Sequence, residues 1–167
     1  MSDAAPFGPS ENATAGFLVW RLSMKWRVAV DRALAPLGMT HAQYAVMASL
    51  HGMGRSGRRP SQRELADHTG LEALYVSKLV RALESAGSVT RTRDPADPRA
   101  IRLELTDQGR DATRRAIRVI QGLLEQFLEP LGGQRDPRAT EFTRTLVTLL
   151  DVPLDPTRIA ENEKEQP

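Results

Sequence analysis

Apolar positions along the chain fall into blocks with two different periods. From about Asn12 to Ala35, Phe17, Leu18, Trp20, Leu22, Met24, Val28, Val30 and Leu34 follow helical spacing but cover more than one stripe. A helix patterned in this way is expected to be buried on two sides. Pro36, Leu37 and Gly38 end it. Thr40 and Gln43 then stand at the spacing of a capping box, in which each side chain satisfies an orphan backbone amide, and they open a second helix to about His51. Gly52 to Pro60, GMGRSGRRP, reads as a loop carrying three arginines. Ser61 and Glu64 form a second capping box for a short helix ending near Thr69. Gly70 suits a left-handed turn, a further helix runs from about Glu72 to Ala86, and Gly87 closes it.

The period then changes. Ile101, Leu103 and Leu105 alternate with Arg102 and Glu104, which predicts a strand with one dry and one wet face. Ser88–Arg93 supplies a partner strand, and DPADPR between them is a Pro/Asp turn. Thr106 caps a long helix to about Glu129, whose residues Ala112, Ala116, Ile117, Val119, Ile120, Leu123, Leu124, Phe127 and Leu128 again cover two faces. After Pro130 to Gly133 a last helix runs from about Pro137 to Leu150. The order short helix, glycine turn, second helix and hairpin describes a winged helix-turn-helix in a mainly α chain with a small two-stranded wing.

Composition sharpens this picture at three points. Net charge is only +2, but between Arg55 and Arg102 ten Lys/Arg face six Asp/Glu, whereas from Asp151 onward five acids face two bases. A basic middle with an acidic end is the footprint of an electropositive face. The absence of cysteine excludes disulfides, thiolate metal sites and cysteine-based redox sensing. No apolar run approaches the ~18 residues needed to span a bilayer, and the N-terminus lacks a basic start followed by an apolar core, so a cytoplasmic protein with no membrane partner is expected.

The second helix of the pair carries the candidate chemistry. Val76, Leu79, Val80 and Leu83 stand at i, i+3, i+4, i+7 for a core, which leaves Leu74, Ser77, Lys78 and Arg81 on the opposite face with Tyr75 on its flank. Lys78 and Arg81 can donate to guanine edges or phosphates, Ser77 can donate or accept, and Leu74 can touch a thymine methyl. Two cations alone would suit a solvated face; an exposed Leu74 and Tyr75 would not. Ser61, at the start of the preceding helix, belongs with this set. In the wing, Arg99 sits on a stiff turn and suits a minor groove, whose negative potential attracts guanidinium. Asp97 could pair with Arg91 or Arg93 and brace the tip.

MTHAQYAVMASL (39–50), PSQRELADHTGLEALYVSKLVRALESAG (60–87) and TRDPADPRAIRLELTDQG (92–109) resemble the MarR family of multiple-antibiotic-resistance-type transcriptional regulators. The most specific part is the aspartate-x-arginine wing followed by a Leu-Thr-x-x-Gly helix start. The resemblance implies a sequence-specific regulator, of the repressor type, binding double-stranded DNA as an obligate homodimer on an inverted repeat. It places Leu74, Tyr75, Ser77, Lys78 and Arg81 on the DNA-reading helix and Arg99 at the minor groove. It also implies dimerisation helices over 12–38 and 107–150 and a DNA-binding lobe over 39–106; the residues themselves, with Pro6, Gly8 and Pro9 at one end and a polar stretch at the other, read as a flexible arm over 1–11 and a disordered tail over 151–167. The family often binds small aromatic or phenolic anions, and Trp20, Trp26, Arg27, His41 and Tyr44 come from elements that would border such a pocket; the same aromatics would also serve as dimer core. Leu74 and Tyr75 replace small hydroxyl residues common at these positions, Glu72 would repel phosphates unless it reads a cytosine amino group, the arginine-rich loop at 55–59 is long enough to add backbone contacts, and Ser88 stands where a larger apolar residue is usual.

Other chemistries find no support. His41, His51 and His68 have no i, i+4 pair among them, so no metal site is expected. GMGRSG lacks the strand context and the following lysine-serine of a phosphate loop, and neither an enzyme nor a cofactor is expected. The competing function is a winged-helix protein-interaction module that does not bind DNA.

Overall fold

The computed structural model describes residues 13–94, 97 and 101–154. Arm residues 1–11, Arg99 at the wing tip, and tail residues 155–167 lie outside these described residues. The described chain forms two compact units that divide within one helix, after Leu123.

In the first unit, Thr14 accepts the Phe17 N–H and opens helix α1, Ala15–Leu34, which passes into a 3-10 turn at Ala35–Leu37. Both sequence-read capping boxes are present. Thr40 and Gln43 start α2 (His41–Arg55), while Ser61 and Glu64 start α3 (Gln62–Thr69). Gly70 has φ +68°, the left-handed turn expected there, and α4 follows as Ala73–Ser85. Strands β1 (Val89–Arg93) and β2 (Ile101–Leu105) pair antiparallel, from Val89 opposite Leu105 to Arg93 opposite Ile101. Helix α5, Asp107–Leu128, crosses into the second unit.

The lobe closes on one cluster. Val46, Met47 and Leu50 of α2, Leu65 and Ala66 of α3, Val76, Leu79, Val80 and Leu83 of α4, and Val89, Leu103 and Leu105 of the hairpin are all buried together. Full burial of a side chain such as Leu65 or Leu103 stabilises by about 1.5–3 kcal/mol. A second cluster joins α1 to α5 through Val30, Leu34, Ala116 and Ile120, with Trp26 and Tyr44 packed against it. Much of α1 is different: Phe17, Leu18, Val19, Trp20, Met24 and Val28 are exposed.

The second unit holds the end of α5, a 3-10 turn at Glu129–Leu131 and α6, Pro137–Leu150, with the bounds the sequence predicts. Asp136 caps α6 by accepting the Arg138 N–H at 2.8 Å. The far end of α6 exposes Leu146, Val147, Leu149 and Leu150.

Three expectations are corrected. Helix α2 does not stop at His51 but continues through Gly52 and Gly54 to Arg55. Each glycine costs about 1 kcal/mol in a helix, but Met53 between them is buried and extends the Val46, Met47 and Leu50 stripe by a turn. Ser88 is not the first residue of its strand. Its N–H donates to Leu83 and its carbonyl accepts from Thr106, so it is spent on the junction before the hairpin. Ile101 shares the face of Leu103 and Leu105 but is not dry there; it is 42% exposed, because the hairpin has run past the helices that cover those two leucines.

The Leu-Thr-x-x-Gly start of α5 acquires a physical reason. Thr106 Oγ1 donates to the Gly87 carbonyl at 2.7 Å and accepts the Gly109 N–H at 2.9 Å. A Cβ on Gly109 would lie 1.9 Å from the Ser88 carbonyl oxygen. Only glycine lets α5 approach the start of the wing this closely.

Candidate nucleic-acid interface

Because Val76, Leu79, Val80 and Leu83 point into the core, α4 presents its other face to solvent. Leu74 is 82% and Tyr75 46% exposed. Lys78 and Arg81 are exposed as well, and Ser77 is half-buried beside them. Arg81 Nε donates to the Ser77 carbonyl at 3.2 Å, which holds the guanidinium stem along the helix while its Nη groups stay available. The five residues assigned to the reading helix therefore share one accessible surface. Glu72, the residue before α4, gives that helix no side-chain cap and is exposed at the same end.

This surface continues into a hollow of about 430 Å3 lined by Ser61, Gln62 and Arg63 of the α3 start, Ser77 and Arg81 of α4, and Arg91 and Ile101 of the hairpin. Three guanidinium groups from three elements thus border one concavity, with exposed apolar surface next to it. Gln62 and Arg63 were not singled out by sequence reasoning. Their signal was position: the two residues after an N-cap lie at the helix end whose dipole favours anions.

Of the two arginines read as partners for Asp97, Arg91 pairs with Glu84 of α4 at 2.8 Å. The brace at the strand ends is Arg102, which donates to Asp94 at 2.7 Å and to Glu64 at 2.9 Å. Glu64 also accepts the Ser61 N–H at 2.7 Å and lies 3.9 Å from Arg58. The Ser61 backbone hydrogen bond is the main reason its carboxyl is held below the ordinary glutamate value, with Arg102 and Arg58 adding to it. Arg102 is in turn held above its ordinary value, chiefly by its bond to Asp94. Arg93 is exposed at the end of β1, and Asp97 is exposed in the hairpin turn.

Glu64 thus fastens the start of α3 to the wing, with a stated pH dependence. A lowered carboxyl contributes stability that is fully present above its ordinary value of 4.5 and is lost as pH falls through the folded-state value. Glu64→Gln should lower the melting temperature at pH 7 by a few degrees, for a loss on the order of 1 kcal/mol. The gap between variant and wild type should narrow progressively in melts run at pH values falling below 4.5 and through the folded-state value. An unchanged gap there would show that the charge is not what matters.

The residues assigned to a ligand pocket are only partly gathered. Trp26 and Tyr44 pack against the α1–α5 cluster, where burial pushes the Tyr44 hydroxyl above its ordinary value. His41, half-buried, donates its backbone N–H to Asp31 at 2.7 Å. Arg27 is exposed on α1. Trp20 belongs elsewhere, 60% exposed and stacked on Phe17 with ring centroids 6.0 Å apart. Among the described residues, no group of three or more His, Cys, Asp or Glu could hold a metal ion, and no helix is long and apolar enough to cross a membrane.

Comparison with known proteins places this geometry. The MarR family model matches residues 37–100. The helix-turn-helix-type regulator YdcH of Bacillus subtilis is 31% identical over 116 residues, 70% of this chain and 79% of its own length. The transcriptional repressor Rv2887 of Mycobacterium tuberculosis is 30% identical over 144 residues, 85% of this chain and 97% of its own. Its solved complex with salicylic acid superposes with a TM-score of 0.62, covering 83% of this chain and 98% of that one. The transcriptional repressor CouR, solved on a 23-mer DNA duplex, superposes with a TM-score of 0.71 at 27% identity, covering 82% of this chain and 92% of that one.

Proposed function

The chain belongs to the MarR family of transcriptional regulators, and from that premise we propose that it is a DNA-binding repressor that reads an inverted repeat as a homodimer. The observation that carries the reading is the reading face itself: Leu74, Tyr75, Lys78 and Arg81 exposed along α4, continuous with a hollow edged by Arg63 and Arg91. Helix α4 enters the major groove, where side chains meet a distinct donor and acceptor pattern for each base pair. The hairpin lies along the flanking minor groove, with Arg99 at its tip. Members of this family are regulators rather than enzymes, and we assign this chain no catalytic step and a cytoplasmic place on the chromosome.

Dimerisation is supported by the apolar faces that the single chain leaves uncovered on α1 and on α6. Soluble monomers rarely expose contiguous apolar patches of this kind. The helices of 12–38 and 107–150 form the dimerisation region and 39–106 the reading lobe. A small aromatic anion is the effector class we favour, since Rv2887 binds salicylic acid and Trp26 and Tyr44 here lie half-buried against the α1–α5 cluster.

The test is a binding-site selection with wild type, Arg81→Ala and Arg99→Ala. Arg81→Ala should flatten preference at one symmetric pair of base positions, a discrimination of roughly 1–3 kcal/mol. Arg99→Ala should weaken all sites more evenly while lessening preference for narrow A·T flanks. Two folded variants with wild-type affinity and base preference would instead favour the protein-interaction module.

A further inference from the structure

The arginines of 55–59 do not line the reading hollow. Arg55, Arg58 and Arg59 border a separate cavity of about 410 Å3 together with Arg110 and Arg114 of α5, with His51 of α2 beside them. Its remaining walls include Leu50, Leu103 and Leu105, and Glu104 is the one carboxylate among its lining residues. No residue lines both this cavity and the reading hollow.

Five guanidinium groups drawn from a helix end, a loop and the first turns of another helix repel one another when gathered in one concavity. The ion pairs that offset this are exposed. Arg59 is 3.4 Å from Glu104, Arg58 3.9 Å from Glu64 and Arg110 2.6 Å from Asp107, while Arg114 pairs with Asp111. Arg55 has no ion pair among the described residues. Exposed pairs of this kind contribute little and yield readily to a better acceptor. Arg110 also donates to the Leu105 carbonyl at 2.5 Å, but each guanidinium carries five donors, of which a carboxylate can occupy two, so donors around the cavity stay available to a bound anion. Phosphoryl oxygens match that fork bidentately. A duplex presents its phosphates on a convex ridge, whereas this site is walled by α2, β2 and α5 and has the volume of a small-ligand pocket.

We propose that this cavity binds a small phosphorylated molecule, one carrying a pyrophosphate or a comparable pair of neighbouring oxyanions, held by Arg55, Arg59, Arg110 and Arg114. The site is separate from the DNA-reading face and stands or falls without it. Inorganic pyrophosphate is the probe, titrated calorimetrically into the full-length protein at about 0.15 M ionic strength, where exposed charges are screened beyond ~8 Å. Wild type should bind saturably, one molecule per chain. The double variant Arg55→Ala/Arg114→Ala should weaken that binding about tenfold or more, with melting temperature and duplex-DNA affinity unchanged. Arg63→Ala, in the reading hollow, should leave pyrophosphate binding as in wild type. Absence of saturable binding overturns the proposal. So does equal loss in Arg63→Ala, which would put the anion in the reading hollow. A double variant with weaker duplex binding and a shallower salt dependence would overturn it too, making the cavity part of the DNA footprint.

Discussion

Replacing Gly109 with alanine should cost on the order of 3 kcal/mol, a drop of about 6–12 °C in melting temperature for a chain of this size. Alanine is the better helix former, so a reading based on propensity alone predicts stabilisation of α5 by up to about 1 kcal/mol. Sterics win because the added Cβ would meet backbone, not a side chain that can swing away. It would lie 1.9 Å from the Ser88 carbonyl oxygen and 2.9 Å from the carbonyl carbon. Relief requires α5 to lift from the start of the wing, stretching the Thr106–Ser88 and Thr106–Gly87 hydrogen bonds. Gly122, on the same helix with nothing within 4 Å of its built Cβ, is the control. Gly122→Ala should be neutral or stabilising by up to about 1 kcal/mol. Thermal melts of the two variants decide the matter: equal behaviour would mean the close approach at Ser88 is not a constraint.

The other large effect is the response of DNA affinity to salt. Lys78, Arg63, Arg81 and Arg91 are each supplied twice by a dimer, and six or more neutralised phosphates give a log–log slope of about −5 or steeper. Affinity should then fall roughly a thousandfold between 50 and 200 mM salt. Lys78→Ala removes two cations per dimer and should make the slope shallower by about 2. Lys78 is exposed and makes no ion pair among the described residues, so its removal should leave the fold unchanged. A slope near zero for wild type on any duplex would contradict DNA binding; an unchanged slope in the variant would place Lys78 off the phosphates.

What was legible in the sequence was local. Both capping boxes, at Thr40/Gln43 and Ser61/Glu64, join residues three apart, and the left-handed turn at Gly70 needs only its own backbone. The stripe from Val76 to Leu83 is also set within one helix, which is why the reading face of α4 could be named residue by residue. What was not legible depends on partners distant in the chain. Arg102 reaches Glu64 across 38 positions, and no periodicity announces such a pair. Arg91 turns to Glu84 rather than along the hairpin because it shares the strand face of Leu103, which lies against α4. Alternation assigned Ile101 to a dry face correctly as to side, but it carries no information on where the covering helices end. The two glycines after His51 read as a stop, and only the burial of Met53 reveals why the helix ignores them. Gly109 was visible only as part of a motif; its reason, the Ser88 carbonyl, lies 21 positions earlier.

The carboxylate of Glu64 has a consequence for what kind of operator this protein tolerates. It seats the first turn of α3 and the outgoing strand of the hairpin on one group, and α3 packs on α4 through the common core. The major-groove and minor-groove elements of one chain are therefore phased against each other like two teeth on one key. A duplex whose local pitch brings its flanking minor groove slightly out of step must either twist to fit or break that joint. Selection should accordingly act on helical phase within each half-site as well as on base identity. Over- or under-twisted flanks would be rejected even where every contacted base is correct.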